Sequence, residues 1–359
     1  MKSNYDTLGK YIRPVNSRNE INITDKVFGI SIDKEFMPSV ANVIGTDLGK
    51  YKLITKGKFA CNPMHVGRDE RLPVALYEED EPAIISPAYF MFEVIDNKIL
   101  NEDYLMMWFR RMEFDRECWF HTDGSVRGGI TWDDLCKLKL PIPSMEKQQQ
   151  LVSYYKTIRD RISSKKQIND NLDATALAIY KKYFVEDIDF DHLPNGWSMG
   201  TLKDVYQFQY GKGNTNPDNG GQYPIYGSNG IIGGYNEYNN EDAPVIGHIG
   251  AAGSLNFAFG RHYVTYNGIM CNIINPRNIY FGYLTLYAQN LAAQVRGSTQ
   301  PFISYDMLYE IKTVLPPDEI LMNFHSNISP LMEYKREILN EIDKLKQIQT
   351  IMQERISSI

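Results

Sequence analysis

Two stretches of the chain space their apolar residues as long amphipathic helices do. From about 145 to 185 there is no proline or glycine, and Leu151, Tyr155, Ile158, Ile162, Ile168, Leu172, Ala176 and Ile179 recur near three- and four-residue intervals. From 318 to 359 the pattern is cleaner. Leu331, Ile338, Leu345, Met352 and Ile359 stand seven apart, with Ile342, Ile348 and Ile356 filling the neighbouring face. Helices of ~40 residues run ~60 Å at ~1.5 Å per residue. Neither can bury its stripe alone. The plainer expectation is a coiled coil between two copies of the chain; the better one is an antiparallel pairing of the two helices with each other.

The segments that precede these helices are related. At a constant offset of 173, Gly124/Gly297, Ser125/Ser298, Ile130/Ile303, Asp133/Asp306 and Leu135/Leu308 are identical. Thr131/Ser304, Trp132/Tyr305 and Leu138/Ile311 are similar, and a proline-bearing stretch follows each copy. Upstream, Tyr104-Leu105 matches Tyr283-Leu284, and the copies open alike at Thr7-Leu8 and Thr201-Leu202. An ordered series of matches indicates duplication. Each unit is read as a turn-rich head, a short aromatic helix, a glycine loop, a segment whose Ser/Thr and Asp suit a helix cap, a proline stop and a long helix. The expected class is α+β, with two β-rich mixed heads separated by two long antiparallel coiled-coil helices in pseudo-two-fold symmetry. The boundaries follow: a head at 1–143, a spacer helix at 144–186, a second head at 187–316 and a C-terminal helix at 317–359.

Two different modules held at a fixed separation can read two half-sites with an unread spacer between them. Charge constrains that idea. The 359 residues carry 38 basic and 44 acidic side chains, a net charge of −6. Neither head is basic, with 19 basic and 22 acidic residues in 1–143 and 6 and 7 in 200–315. Phosphate contacts supply most non-specific affinity for DNA, so a DNA-binding role requires local basic loops or a basic partner. The four cysteines are scattered without CxxC spacing, which argues against a zinc site and for reduced thiols. The opening MKSNYDTLGKYIRPVNSRNE has no apolar stretch and no run approaches a membrane span, so a cytoplasmic protein is expected.

The sequence resembles the specificity subunit of Type I restriction-modification systems. Its plan of head, helix, head, helix matches, and the motifs that carry the resemblance are GSTQPFIS with its following aromatic and Pro-Pro, and LPIPSMEKQQQLV at the central helix entry. The resemblance implies recognition of an asymmetric bipartite target in double-stranded DNA. It implies assembly with two methyltransferase subunits, and with restriction subunits in the full nuclease. Two departures stand out. The second helix opens Pro-Pro-Asp-Glu-Ile-Leu where a Gln-rich start is expected, and the first loop has Gly-Gly-Ile-Thr where the second has Pro-Phe-Ile-Ser. A related bipartite system that cuts on both sides of its site, and a coiled-coil scaffold with two β-rich heads, are the alternatives.

Base reading needs Arg, Lys, Asn, Gln, Ser or Thr on loops. The candidates are Lys58, Asn62, His65, Arg68, Arg71, Ser125 and Arg127 in the first head, and Lys212, Asn214, Ser228, Asn229, Arg261, Arg296, Ser298, Thr299 and Gln300 in the second. Lys56, Asn216, His248 and His262 lie in the same stretches. Gly-Asn-rich segments are most often plain turns, which is the competing reading at each of these positions. No catalysis is expected from this chain alone. It has no P-loop, no Asn/Asp-Pro-Pro-aromatic loop for a flipped base, no G-x-G-x-x-G and no G-x-S-x-G. The Glu333-Tyr334-Lys335 triplet falls on the heptad helix, away from nuclease context. No cofactor or metal is expected.

Overall fold

In the computed structural model, residues 5–39, 45–64, 66–122, 128–213, 218–297 and 300–356 are described, apart from the side chains of Arg68 and Ile356. The chain divides into two compact units, Met1–Ser164 with Asp343–Ile359, and Lys165–Ile342. The fold class is α+β.

The first unit holds two four-stranded sheets. One has the order β2 (Ile12–Pro14), β9 (Phe90–Val94), β6 (Phe59–Cys61), β7 (Val74–Leu76), all antiparallel. The other runs β4 (Phe36–Pro38), β3 (Val27–Ile30), β8 (Ala83–Ile85), β5 (Lys52–Ile54), with β3 and β8 parallel. Several of these strands are buried on both faces, as at Phe59-Ala60-Cys61 and Ala83-Ile84-Ile85. They therefore show no apolar–polar alternation. A short helix α1 (Val66–Asp69) precedes the longer α2 (Glu102–Phe109) and α3 (Met112–Phe120). Asn101 caps α2 by accepting the Tyr104 N–H at 3.0 Å, and Glu102 and Asp103 suit its N-terminal dipole. All six residues from Tyr104 to Phe109 are buried. The core centres on Phe59 stacked on Phe92 at 5.1 Å, with Phe109 edge-on to both.

The second unit carries one six-stranded sheet. Its order is β12 (Tyr206–Tyr210), β17 (Gly268–Ile273), β15 (Asn240–Gly247), β16 (Leu255–Val264), β13 (Tyr223–Gly227), β14 (Gly230–Tyr235). Only β13 and β16 pair in parallel. Helix α6 (Ile279–Ala288) packs Phe281, Tyr283 and Leu284 into the core.

Beneath these different heads lies one frame. In the first unit, β1 (Tyr5–Thr7) pairs with β10 (Lys139–Pro141); in the second, β11 (Ser198–Thr201) pairs with β18 (Lys312–Leu315). Leu8 N donates to Leu138 O at 2.8 Å, and Leu202 N to Ile311 O at 2.9 Å. Each closing strand follows a short capped helix. Thr131 Oγ1 accepts the Asp134 N–H at 3.1 Å at the start of α4 (Trp132–Lys137), and Ser304 Oγ accepts the Met307 N–H at 3.4 Å at the start of α7 (Tyr305–Tyr309).

The long helices are α5 (Met145–Lys181), continued by a π-turn at Lys182–Glu186, and α8 (Asp318–Ile356). Pro330 lies inside α8 on an exposed position, and the hydroxyls of Ser326 and Ser329 donate to carbonyls one turn back. In the second unit α5 and α8 pair antiparallel, with Lys165 joined to Glu341 and Asp173 to Lys335. Their seam buries Ala176 and Tyr180 with Leu321, Phe324 and Ile328. In the first unit Gln353 Nε2 donates to the Tyr155 hydroxyl at 3.3 Å. One seam position differs from expectation. The second row of the heptad is Leu321, Ile328, Lys335 and Ile342, all buried, whereas Ile348 is 47% exposed and stands off the seam. A seven-residue step from Ile342 falls on position 349, a glutamine. Ile359 lies outside the described residues.

Candidate nucleic-acid interface

The glycine loop of each repeat is tied by the same bond to a loop of its own head. Ile130 N donates to Pro63 O at 3.2 Å in the first unit, and Ile303 N to His248 O at 3.0 Å in the second. These two isoleucines occupy one position of the repeat. Gly67 N adds a bond to Gly128 O at 3.0 Å. The residue before the isoleucine explains one departure between the copies. A Cβ at Gly129 would stand 2.7 Å from Pro63 O, so the chain passes too close for a side chain. Its counterpart Phe302 instead forms antiparallel bridges with Ile249 and Arg296.

Around the first loop, Asn62 Oδ1 accepts the Met64 N–H at 3.1 Å, a turn of the kind Asn favours. Half-buried Lys58 donates to Thr55 Oγ1 at 3.0 Å, and Lys56 pairs with Asp80 at 2.6 Å. Arg71 is exposed and 3.7 Å from Asp33. The Arg68 backbone lies in α1, next to Gly67, whose N–H bonds Gly128 O. His65, Ser125 and Arg127 lie outside the described residues, as does the Arg68 side chain.

The second unit gathers most of its candidates at one end of the six-stranded sheet. Lys212 N donates to Val264 O at 3.0 Å, Tyr266 N to Gly213 O at 3.1 Å and His248 N to Asn267 O at 2.8 Å. Ser254 Oγ bonds the carbonyl of Ser228, which with exposed Asn229 forms the turn between β13 and β14. Arg296 and Phe302 exchange both backbone bonds, at 2.9 and 2.8 Å. Between them Gly297 has φ 92, and a Cβ there would lie 2.6 Å from Gln300 O. Lys212, Ser228, Asn229, Arg296 and Gln300 thus ring one set of interlocked loops, with Lys212, Asn229, Arg296 and Gln300 exposed. Asn214, Asn216, Ser298 and Thr299 lie outside the described residues. Arg261 is elsewhere, at the Tyr223 end of β13, where it stands 3.5 Å from Glu241 and 4.8 Å over the Tyr238 ring.

The two histidines are internal. His248 is buried with Nδ1 2.6 Å from Ile303 O, its ring 4.4 Å from Tyr210 and 5.6 Å from Tyr266. His262 is fully buried, and burial pushes its pKa below the usual imidazole value. Tyr266, 39% exposed, stands at the candidate loops with no sequence pattern to single it out. Among the described residues no group of His, Cys, Asp and Glu is placed to hold a metal ion. None of their helices is long and apolar enough to cross a membrane. In each unit a cluster of loops is thus anchored by backbone hydrogen bonds to the repeated frame.

A fold of two unlike heads on a duplicated frame defines a class, and comparison with known proteins gives the family. The model of the Type I restriction modification DNA specificity domain matches residues 74–174 and 194–359, more than half of the chain. The chain belongs to that family. It is 23% identical over 273 residues to the Type I restriction enzyme MjaIX specificity subunit of Methanocaldococcus jannaschii, covering 62% of each chain. It is 25% identical over 194 residues to the HindI specificity subunit of Haemophilus influenzae, covering 52% of this chain and 40% of that one. The chain thus spans less than two thirds of either curated relative. A Type-I restriction-modification system S subunit from M. genitalium shares the fold, with a TM-score of 0.56, 15% identity, and coverage of 98% of this chain and 95% of that one.

Proposed function

We propose that this chain is the DNA sequence-specificity subunit of a Type I restriction-modification enzyme. It reads an asymmetric, bipartite target in double-stranded DNA and directs two methyltransferase subunits, and restriction subunits where present, to that target. The chain itself is non-catalytic, needs no cofactor and works in the cytoplasm. The single observation that carries the reading is the family match in both copies of a repeat whose frames agree and whose heads differ. Residues 1–143 and 187–316 act as the target recognition domains, and 144–186 and 317–359 as spacer helices. The same M. jannaschii, H. influenzae and M. genitalium proteins carry the specificity or S-subunit name, which supports the role.

Within this reading Lys58, Asn62, His65, Arg68, Arg71, Ser125 and Arg127 serve the first half-site. Lys212, Asn214, Ser228, Asn229, Arg296, Ser298, Thr299 and Gln300 serve the second; Arg261, engaged with Glu241 and the Tyr238 ring at another edge, stands apart from them. Neither head is basic overall, so the methyltransferase subunits supply much of the phosphate grip. The test is a gel-shift with the reconstituted complex. A salt-sensitive shift confined to one split sequence supports the reading; equal shifts on unrelated duplexes defeat it.

A further inference from the structure

Arg336 of α8 pairs with Oδ1 of Asp242 on β15, and its guanidinium lies 5.1 Å over the Phe259 ring on β16. Asp242 sits where the β15–β16 register slips between Glu241 and Ala243, and its backbone is left-handed at φ 40. That conformation is costly for a residue with a Cβ, and a bulge re-aims the side chain it carries. The same Oδ1 accepts the Gly260 N–H at 2.8 Å, so two elements converge on one oxygen. Yet the pair is 45% and 40% exposed, and ion pairs so open to water add little stability. Strained backbone kept for a weak stabiliser points to geometry as its purpose.

We propose that Arg336 and Asp242 form a clamp that fixes the orientation of the six-stranded head on α8, and so the spacing at which the second half-site is read. This rests on the specificity-subunit reading. Arg336 is a positioning residue and touches no DNA in this scheme. Its neighbour Lys335 turns the other way, to Asp173 of α5 and to within 5.8 Å of the Tyr283 ring of α6. Two adjacent cations therefore tie one turn of α8 to the paired helix and to the head. The first head is tied to its own following helix by different pairs, Lys156 to Asp103 at 2.7 Å and Arg159 to Glu78 at 3.6 Å. The repeat kept the device without keeping the residues, which fits a requirement for orientation.

The test uses the chain with its methyltransferase subunits. Methylation is measured on duplexes carrying the natural target and on duplexes whose unread spacer is one base pair longer or shorter. Arg336→Ala and Asp242→Asn should each lower the preference for the natural spacer by about fivefold or more, and the double variant should lose no more than either. Selectivity for the bases of each half-site should be unchanged. In parallel, spin labels at Gln222→Cys and Glu337→Cys of the full chain, in a Cys136→Ser background, should show a broader distance distribution once Arg336 is replaced. An unchanged distribution overturns the clamp whatever the methylation shows. A broader one with unchanged spacer preference overturns its role in target reading. A wild-type complex that methylates no split sequence defeats the specificity reading and this proposal with it, an outcome recognised because the unaltered protein fails.

Discussion

Lys335 of α8 and Asp173 of α5 form an ion pair in the seam of the second unit, their side chains only 8% and 15% exposed. Lys335 occupies a heptad position otherwise filled by Leu321, Ile328 and Ile342. A polar residue at such a position specifies register at a cost in stability. Removing one partner leaves a buried charge unmatched, so Lys335→Ala should cost about 3–5 kcal/mol. The double change Lys335→Met with Asp173→Leu should come out near neutral. Denaturant unfolding of the full chain measures both; equal losses would mean that the seam does not depend on the pairing.

Gln148 gives a second expectation. It is fully buried, donates from Nε2 to Ile99 O and Pro143 O, both at 2.9 Å, and accepts the Asn101 N–H at 2.8 Å. At the corresponding point of the repeat stands Leu321, buried among apolar neighbours. Gln148→Leu therefore imitates the second copy but strands three backbone groups of the first. A loss of about 1–3 kcal/mol is expected for each polar group left unsatisfied. The same unfolding experiment reads it, and a neutral result would show that water replaces the amide.

The half-buried carboxylate of Asp6 accepts bonds from Lys10 Nζ at 2.6 Å, Thr7 N at 2.8 Å and the Tyr11 hydroxyl at 2.8 Å. The Lys10 bond foremost, then those from Thr7 and Tyr11, lower its pKa from 3.8 to about 2. A carboxyl whose folded pKa is depressed stabilises the fold above its unfolded value. That contribution is complete above about pH 4 and is lost as pH falls towards 2. Asp6→Asn should flatten the stability profile of the full chain across that window and leave its shape at higher pH unchanged.

At the candidate DNA face, Lys212→Ala and Arg296→Ala should weaken binding by the complex and lower the log–log salt slope by about 1 for each phosphate contact removed. Lys56→Ala, at a side chain held by Asp80, should leave the slope unchanged. Gly129→Ala should push the first loop off Pro63 and impair the first half-site without unfolding the chain. Methylation of targets altered in one half at a time checks it.

Much of the frame was legible because it repeats: the offset of 173 pairs Ile130 with Ile303, and the Thr131 and Ser304 caps follow from residue type. The long helices announced themselves by spacing. The heads were less legible. Phe59-Ala60-Cys61 is buried on both faces and presents no alternation, so sequence pattern could not assign its strand or its sheet. Ile348 was misplaced because an apolar residue three from Leu345 looks like part of a stripe, while the true seam accepts Lys335 and Asp173. Among the candidate contacts, the grouping of Lys212, Ser228, Arg296 and Gln300 depends on hydrogen bonds between loops far apart in sequence, that of the Ser254 hydroxyl to the Ser228 carbonyl among them. Arg261 shares their residue type and lies at another edge. The clamp at Asp242 was invisible, since a bulge leaves no mark on composition.

The most direct measurement is methylation-sensitive long-read sequencing of the host genome with this gene present, deleted and restored. One split, asymmetric motif should lose its methylation on deletion and regain it on restoration. A methylome identical in all three states would contradict the account.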